Sequence, residues 1–182
     1  MPTAFTHAAA GITTAYLLSG RRDSVMLWIY VVILSVMADF DVIAFNLGIP
    51  YSHIFGHRGF FHSLLFAACV SFIFSMMYHC SKRKISFSHL RVLLVFMLVS
   101  ALHPILDMFT NGGLGIGLFI PFNNERLFFP DRPIKVSPIG LHSFFSGRGI
   151  TVLKSELRIV ILPSISLFLA VFLLRKITVK PE

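Results

Sequence analysis

Charged residues are scarce in this chain of 182 residues, making up 13% of it, against roughly 25% in soluble domains. Hydrophobic residues make up 55%, and twenty residues are phenylalanine. Together with a mean hydropathy of +0.80, this composition excludes an ordinary soluble domain. The length suits one domain, so we expect residues 1–182 to form a single integral-membrane domain.

Cysteine is also rare. The two cysteines, Cys69 and Cys80, lie in one apolar segment. They are too few for a disulfide framework and too far apart for a thiolate metal site. The N-terminus has neither a basic segment nor a small-residue cleavage site, so we expect no removed signal peptide.

The formal net charge of +8 does not indicate a nucleic-acid partner. Nucleic-acid binding needs a continuous basic surface, whereas the basic residues here form short clusters between apolar runs. Such clusters are typical of the charges that set the orientation of membrane spans. They are Arg21 and Arg22, then Lys82, Arg83, Lys84 and Arg91, then Arg175, Lys176 and Lys180.

Long apolar runs dominate the rest of the chain. A membrane-spanning helix needs about 20 mostly apolar residues, and four runs reach that length. A fifth is shorter but rich in Ala, Gly and Thr, which allow close helix packing. We therefore predict an all-α, polytopic membrane helix bundle of about five spans, at 4–19, 25–47, 60–80, 90–108 and 157–174, with a long outer loop at 111–156. Placing the basic clusters in the cytoplasm puts this loop outside.

The ionisable residues inside these spans fall at one membrane face. Alternating span direction brings together the outer ends of the first four spans, which carry His7, Asp39, Asp41, His57, Arg58, His62, His103 and Asp107. An uncompensated Asp at a span centre costs about 2.5–3.5 kcal/mol. Such residues therefore indicate a functional site, and a divalent metal would compensate carboxylates and accept neutral imidazoles together.

The spacing of these residues supports a metal site. His103 and Asp107 are four residues apart, so they share one helix face. Asp39 and Asp41 diverge on a regular helix and converge only if that helix unwinds. Two simpler readings stay open: a helix–helix hydrogen bond for His103 and Asp107, and an ion-pair anchor between the Asp39/Asp41 pair and Arg58. We expect Glu125 and Glu156 to be solvated loop acids.

These motifs resemble the bacterial YdjM-like family of inner-membrane, metal-dependent hydrolases. The likeness lies in His7, ADFD at 38–41, HRGFFHS at 57–63 and HPILDMFT at 103–110, and it continues through FFPDRPIKVSPIG and FFSGRGITVLKSELR. It implies a multi-pass protein of the bacterial inner membrane and a metal set of His7, Asp39, Asp41, His57, His62, His103 and Asp107. Ala38 departs from the family pattern, which often has Pro before the Asp.

The first functional hypothesis is a metal-dependent hydrolase. Seven candidate ligands exceed the three or four that one zinc needs, so one or two ions fit. Zinc is favoured, with manganese or iron as alternatives. The candidate catalytic residues are Asp41, bridging two ions, Arg58, binding a phosphate through its planar fork, and His62. A site at the periplasmic boundary suits a phosphoester of an amphiphilic, lipid-like substrate, with membrane lipids as the other partners.

Two other classes of function remain open. A metal- or proton-coupled transporter needs polar residues that continue to the cytoplasmic face, but the inner halves of the third and fourth spans contain no acids. A regulatory or scaffold protein would use the metal for structure alone. The sequence does not specify the substrate, the number of ions or the oligomeric state.

Overall fold

A computed structural model of the protein describes residues 1–19, 24–82, 88–138, 144–145 and 147–178. The α-helices are α1 (Ala4–Leu18), α2 (Val25–Val36), α3 (Ile43–Asn46), α4 (Leu64–Lys82), α5 (Ser88–Met108), α6 (Arg148–Glu156) and α7 (Leu162–Thr178). Two 3-10 helices, Met37–Val42 and Phe60–His62, and a π-helix, Leu157–Ile161, interrupt them. These ranges contain no strands beyond two isolated bridges, which confirms the all-α prediction.

Within the described residues, four helical stretches are long and apolar enough to cross a membrane, with mean hydropathies from 1.7 to 2.5: Val25–Asn46, Leu64–Ser81, His89–Met108 and Arg148–Thr178. The last begins at Arg148, well before residue 157, where we predicted its start. Gly147 has a φ of +87° at this start, a conformation that glycine adopts without strain. The first turns that follow are mixed polar and apolar, so hydropathy does not reveal them.

Helix α1 is too short for a typical span, at 15 residues, and lies inside the bundle against α2, α5 and α7. A Cβ atom on Gly11 would lie 2.0 Å from Ser35 Oγ, so α1 and α2 approach closely at this glycine. At the end of α1, the carbonyls of Leu17 and Leu18 accept hydrogen bonds from Arg175 and Arg91. Positive charge at a helix C-terminus is stabilising.

The bundle has an apolar half and an apolar outer surface. Leu27, Val31, Val95 and Phe96 pack together between α2 and α5, in the half away from the ionisable residues. Helix α7 buries none of its side chains, and Leu173 and Leu174 are more than half exposed. Large exposed apolar surfaces mark contacts with a partner or a membrane, so this surface suits lipid.

Helix α2 changes its winding where the two aspartates lie. After Val36 the chain tightens into the 3-10 helix Met37–Val42, which carries Asp39 and Asp41. Ala38 lies within this 3-10 helix, so the change of winding occurs without a proline. The predicted orientation partly rests on basic residues that lie outside the described residues, namely Arg21, Arg22, Arg83, Lys84 and Lys180.

Candidate metal centre

The ends of four helical segments meet at one end of the bundle and bring the predicted ionisable residues together. His7 lies on α1, Asp39 and Asp41 on the first 3-10 helix, His62 on the second, and His103 and Asp107 on α5. One atom each of Asp39, His62, His103 and Asp107 lies within 4.8 Å of the others. We call these four residues the metal cluster.

The two histidines of the cluster face each other through their Nε2 atoms, which are 3.3 Å apart. His103 Nδ1 donates to the carbonyl oxygen of Ser35 at 2.7 Å. His62 Nδ1 lies 2.9 Å from Asp41 Oδ2, within hydrogen-bonding distance but not aligned as a hydrogen bond. A carbonyl only accepts a hydrogen bond, so His103 carries a proton on Nδ1. The nearby Asp41 carboxylate favours the same tautomer for His62. The Nε2 lone pairs of the two imidazoles then point at each other.

The carboxylates add negative charge to the same space. Asp39 and Asp107 have buried oxygens without a hydrogen-bond partner among the described residues, and Asp39 Oδ1 lies 3.2 Å from His103 Nε2. Asp39, Asp41 and Asp107 bring three formal negative charges, whereas the buried Arg58 supplies one positive charge. Buried charges need a partner. Two positive charges must therefore come from protonated imidazoles or from a divalent cation.

The amino group of Met1 also lies close to the cluster. It is buried beside the same residues, and burial lowers its pKa, although the Asp107 carboxylate opposes this shift. A lowered pKa disfavours the charged ammonium form. The charge imbalance, the orphaned carboxylate oxygens and the paired Nε2 atoms together fit a divalent metal, and His and Asp suit zinc, manganese or iron.

Asp41 lies behind the cluster rather than in it. Its Oδ1 is 2.6 Å from His57 Nδ1, and its Oδ2 accepts the backbone N–H of Arg58 at 2.9 Å. With the contact to His62, both of its oxygens are engaged by the segment 57–62. His57 therefore reaches Asp41 and not the four cluster atoms. Whether Asp41 and His57 also bind an ion stays a prediction.

Arg58 is fully buried and contacts protein atoms on three sides. Its Nε is 3.5 Å from Asp107 Oδ2, and its two terminal nitrogens donate to the Gly112 carbonyl and to Thr110 Oγ1. A Cβ on Gly113 would lie 2.6 Å from the guanidinium, so only glycine fits there. These contacts make Arg58 the counter-charge of Asp107, and its predicted role in binding a phosphate is untested.

His7 packs against the cluster, next to His103 and Asp107. Its ring stacks on that of His103, with centroids 3.8 Å apart and planes 13° from parallel. Its Nε2 is 3.4 Å from Asp107 Oδ1, and neither of its nitrogens has a hydrogen-bond partner among the described residues. A buried imidazole with both nitrogens unsatisfied is rare, which suits a residue adjoining a bound ion.

Two further residues support the site through contacts that the sequence pattern does not predict. Glu156, which we expected to be solvated, is fully buried and accepts hydrogen bonds from Thr3 N, Thr3 Oγ1 and Thr6 Oγ1 at 2.6–2.7 Å. Arg126 donates to the carbonyls of Tyr51, His53 and His57. Partial burial lowers the pKa of Arg126. Neither partner set has a local sequence signal, because each pair is more than 65 residues apart.

Comparison with known proteins identifies the family of this chain. The model of the family described as YdjM inner membrane protein matches residues 1–179. The inner membrane protein YbcI of Escherichia coli (strain K12) is 38% identical over 168 residues, which cover 92% of this chain and 95% of YbcI. No solved structure matches. A membrane helix bundle with a candidate Asp/His metal cluster at one end thus belongs to the YdjM inner membrane protein family.

Proposed function

We propose that this multi-pass inner-membrane protein is a metal-dependent hydrolase that cleaves a phosphoester of an amphiphilic, lipid-like substrate. The observation that carries the proposal is the pair of Nε2 atoms of His62 and His103, 3.3 Å apart and flanked by Asp39 and Asp107. With the protons on Nδ1, both nitrogens offer lone pairs, which favours a cation between these residues. Zinc is the favoured metal. Membrane lipids surround the protein and supply its substrate.

The type of ligand favours catalysis over a purely structural role. Structural zinc sites are mostly built from cysteine, whereas catalytic sites use histidine and carboxylate ligands. Both cysteines, Cys69 and Cys80, are exposed on the bundle surface, away from the cluster. A bound divalent cation supplies Lewis acidity and makes water a stronger acid. In this arrangement Asp41 orients His62, and Arg58 balances the charge of Asp107.

The reaction itself is a hydrolysis with no redox change. The oxygen of water forms a new bond to phosphorus while the ester P–O bond breaks. One proton of the water ends on the departing alcohol, and the other stays with the phosphate product. Negative charge develops on the phosphoryl oxygens as this happens, and electrostatic stabilisation of that charge is the largest contribution an enzyme makes to such a step.

One observation favours a second candidate function, a regulatory or scaffold protein with a structural metal. The ligand atoms of the cluster lie on residues that are buried, with only the Asp39 side chain partly exposed, at 12%. Closed sites with four protein ligands are typical of structural metals. The two candidates differ in turnover and not in metal content, so one experiment separates them.

A transporter is less well supported. Helix directions place every described acid at the cluster end of the bundle or in the loops beside it, including Glu125, Asp131 and Glu156. The other half of the bundle has an apolar core around Val31 and Phe96. A pathway for ions needs polar groups along its whole length.

The experiment compares the wild-type protein with Asp107→Asn and with Asp131→Asn, all purified in detergent. Asp131 is an exposed loop acid, so its variant makes the same chemical change outside the cluster. Elemental analysis of the wild type and of Asp131→Asn should find about one or two equivalents of metal, since one tetrahedral ion takes four ligands. Asp107→Asn should lose the metal.

The metal-loaded proteins are then incubated with alkyl phosphomonoesters and phosphodiesters in mixed micelles, and the released product is measured. We expect turnover in the wild type and in Asp131→Asn, and none in Asp107→Asn. Full metal occupancy without turnover of either ester class would contradict the hydrolase function and support a structural role for the metal. Absence of metal from the wild type after reconstitution would remove both candidates.

A further inference from the structure

An apolar groove runs along the surface next to the metal cluster. It lies between the 3-10 helix Met37–Val42, α3, the segment 49–55 and the start of α4, and has a volume of about 420 Å³. This is within the roughly 300–1,000 Å³ range of ligand pockets. Its walls are aromatic and aliphatic, and include Phe40, Ile43, Leu47, Phe55, Phe61 and Phe66.

One residue in the lining of the groove belongs to the site described above. Asp41 is the one polar residue among the described residues that line it. The same carboxylate contacts His62 Nδ1 at 2.9 Å, and the Nε2 of that ring faces Asp39, His103 and Asp107. Asp41 and His62 therefore link the lining of the groove to the cluster.

The outer side of the groove opens on the surface that faces lipid. Phe40, Ile43 and Leu47 are exposed by 64%, 53% and 70%, and all three lie on Val25–Asn46, a stretch apolar enough to span a membrane. An amphiphile that lies in the bilayer could enter sideways, with its chain on these residues. Its polar end would then approach Asp41 and the cluster.

We propose that this groove binds the hydrocarbon chain of the substrate, and that the chain selects long-chain phosphoesters over short-chain ones. The proposal rests on the proposed function for its account of the polar end. Its support is the apolar lining, the single carboxylate at the inner end and the lateral opening. A soluble phosphate metabolite would make no use of this lining.

The first test measures binding without turnover. Full-length protein in detergent is irradiated with dodecyl phosphate carrying a terminal diazirine, and the labelled peptides are identified by mass spectrometry. Labelling should fall on the peptides that contain Phe40–Leu47 and Phe61–Phe66. The variant Ala44→Phe adds a ring to a buried lining residue and should abolish it. Ala170→Phe makes the same change at an exposed position of α7 and should label as the wild type does.

The second test uses turnover of matched dodecyl and butyl phosphoesters. Ala44→Phe should raise KM for the dodecyl ester by about tenfold, a factor that corresponds to about 1.4 kcal/mol, and leave the butyl ester and the metal content unchanged. Equal effects on both esters, or labelling that is unaffected by Ala44→Phe, would contradict the proposal that the groove binds the hydrocarbon chain. If Ala44→Phe does not fold, Ile43→Trp at the exposed edge replaces it.

The two proposals fail in different ways. If no phosphoester is turned over but the diazirine label still maps to the groove and is removed by Ala44→Phe, the hydrolase is wrong and the groove remains a lipid site. If turnover occurs with no preference for chain length and the label is spread over the lipid-facing surface, the hydrolase stands and the groove is wrong.

Discussion

The imidazole of His62 lies among three carboxylates, with one of them at Nδ1 and two at Nε2. Nδ1 contacts Asp41, and Nε2 faces Asp39 at 3.6 Å and Asp107 at 3.4 Å. A carboxylate behind a ligating histidine fixes the ring orientation and raises its basicity. His103 receives the same support from the Ser35 carbonyl. For both histidines, the contact at Nδ1 therefore determines the direction in which Nε2 points.

Asp41→Asn tests this arrangement. We expect the variant to fold and to bind the same number of metal ions, but with affinity lowered by about 10- to 100-fold, the usual cost of losing an outer-shell partner. Competition with a chromogenic chelator measures the affinity, and elemental analysis measures the number of ions. Asp131→Asn is the control. Loss of one whole equivalent of metal would instead support the bridging role that the sequence predicts for Asp41.

Among the helices, α1 carries His7 and is held at both ends by distant residues. Glu156 binds its first turn through Thr3 and Thr6, and Arg91 and Arg175 bind its last carbonyls. Both charges have the sign that the helix dipole favours. Gly11 sets its distance from α2. A helix too short to span on its own is thus positioned by its ends and by one close contact.

Glu156→Gln should loosen this attachment. Three donors converge on the carboxylate, and the amide replaces one acceptor oxygen with a donor. A hydrogen bond to a charged group contributes about 1.5–3 kcal/mol. We therefore expect the free energy of unfolding to fall by about the contribution of one such bond. Thermal unfolding in detergent measures it as a lower Tm.

The matched control is Glu125→Gln, because Glu125 is an exposed loop acid and its variant should melt with the wild type. A Tm for Glu156→Gln equal to that of Glu125→Gln would show that the attachment of α1 does not depend on the charge of Glu156.

For the whole molecule, orientation follows from the distribution of charge. Arg91, Arg175 and Lys176 lie in short helix ends opposite the cluster, whereas most other described basic residues, such as Arg126, Arg132 and Lys135, lie in the long segment beside it. Cytoplasmic ends of spans carry an excess of Lys and Arg in short loops. We therefore predict that the cluster, and the segment 111–138 beside it, lie at the periplasmic face. The proposed site would then meet the outer leaflet.

Cysteine accessibility tests this orientation. In a background with Cys69→Ser and Cys80→Ser, a membrane-impermeant thiol reagent is applied to spheroplasts that carry Asn124→Cys or Thr178→Cys, both at exposed positions. We expect Asn124→Cys to be labelled in intact spheroplasts and Thr178→Cys only after permeabilisation. The reverse pattern would place the cluster in the cytoplasm.

The sequence alone was sufficient for the fold class and for the end of the bundle at which the site lies. Apolar length determines the spans, because a bilayer requires about 20 residues of helix. Once successive spans alternate in direction, His7, Asp39, His62 and Asp107 must share a face. The helix that contains the last predicted span begins before residue 157, because Arg148–Glu156 is helical but not apolar.

Only the tertiary structure decided which atoms meet within that face. Spacing could not show that Asp39 joins the metal cluster while Asp41 stands behind it, because a local change to 3-10 winding separates them. Nor could it show that Glu156 is buried against Thr3, 153 residues away, or that Phe40 and Phe61 line one groove beside Asp41. Hydropathy and helix period are local properties of a chain. Hydrogen-bond partners and cavities depend on how distant segments pack, which those local patterns do not encode.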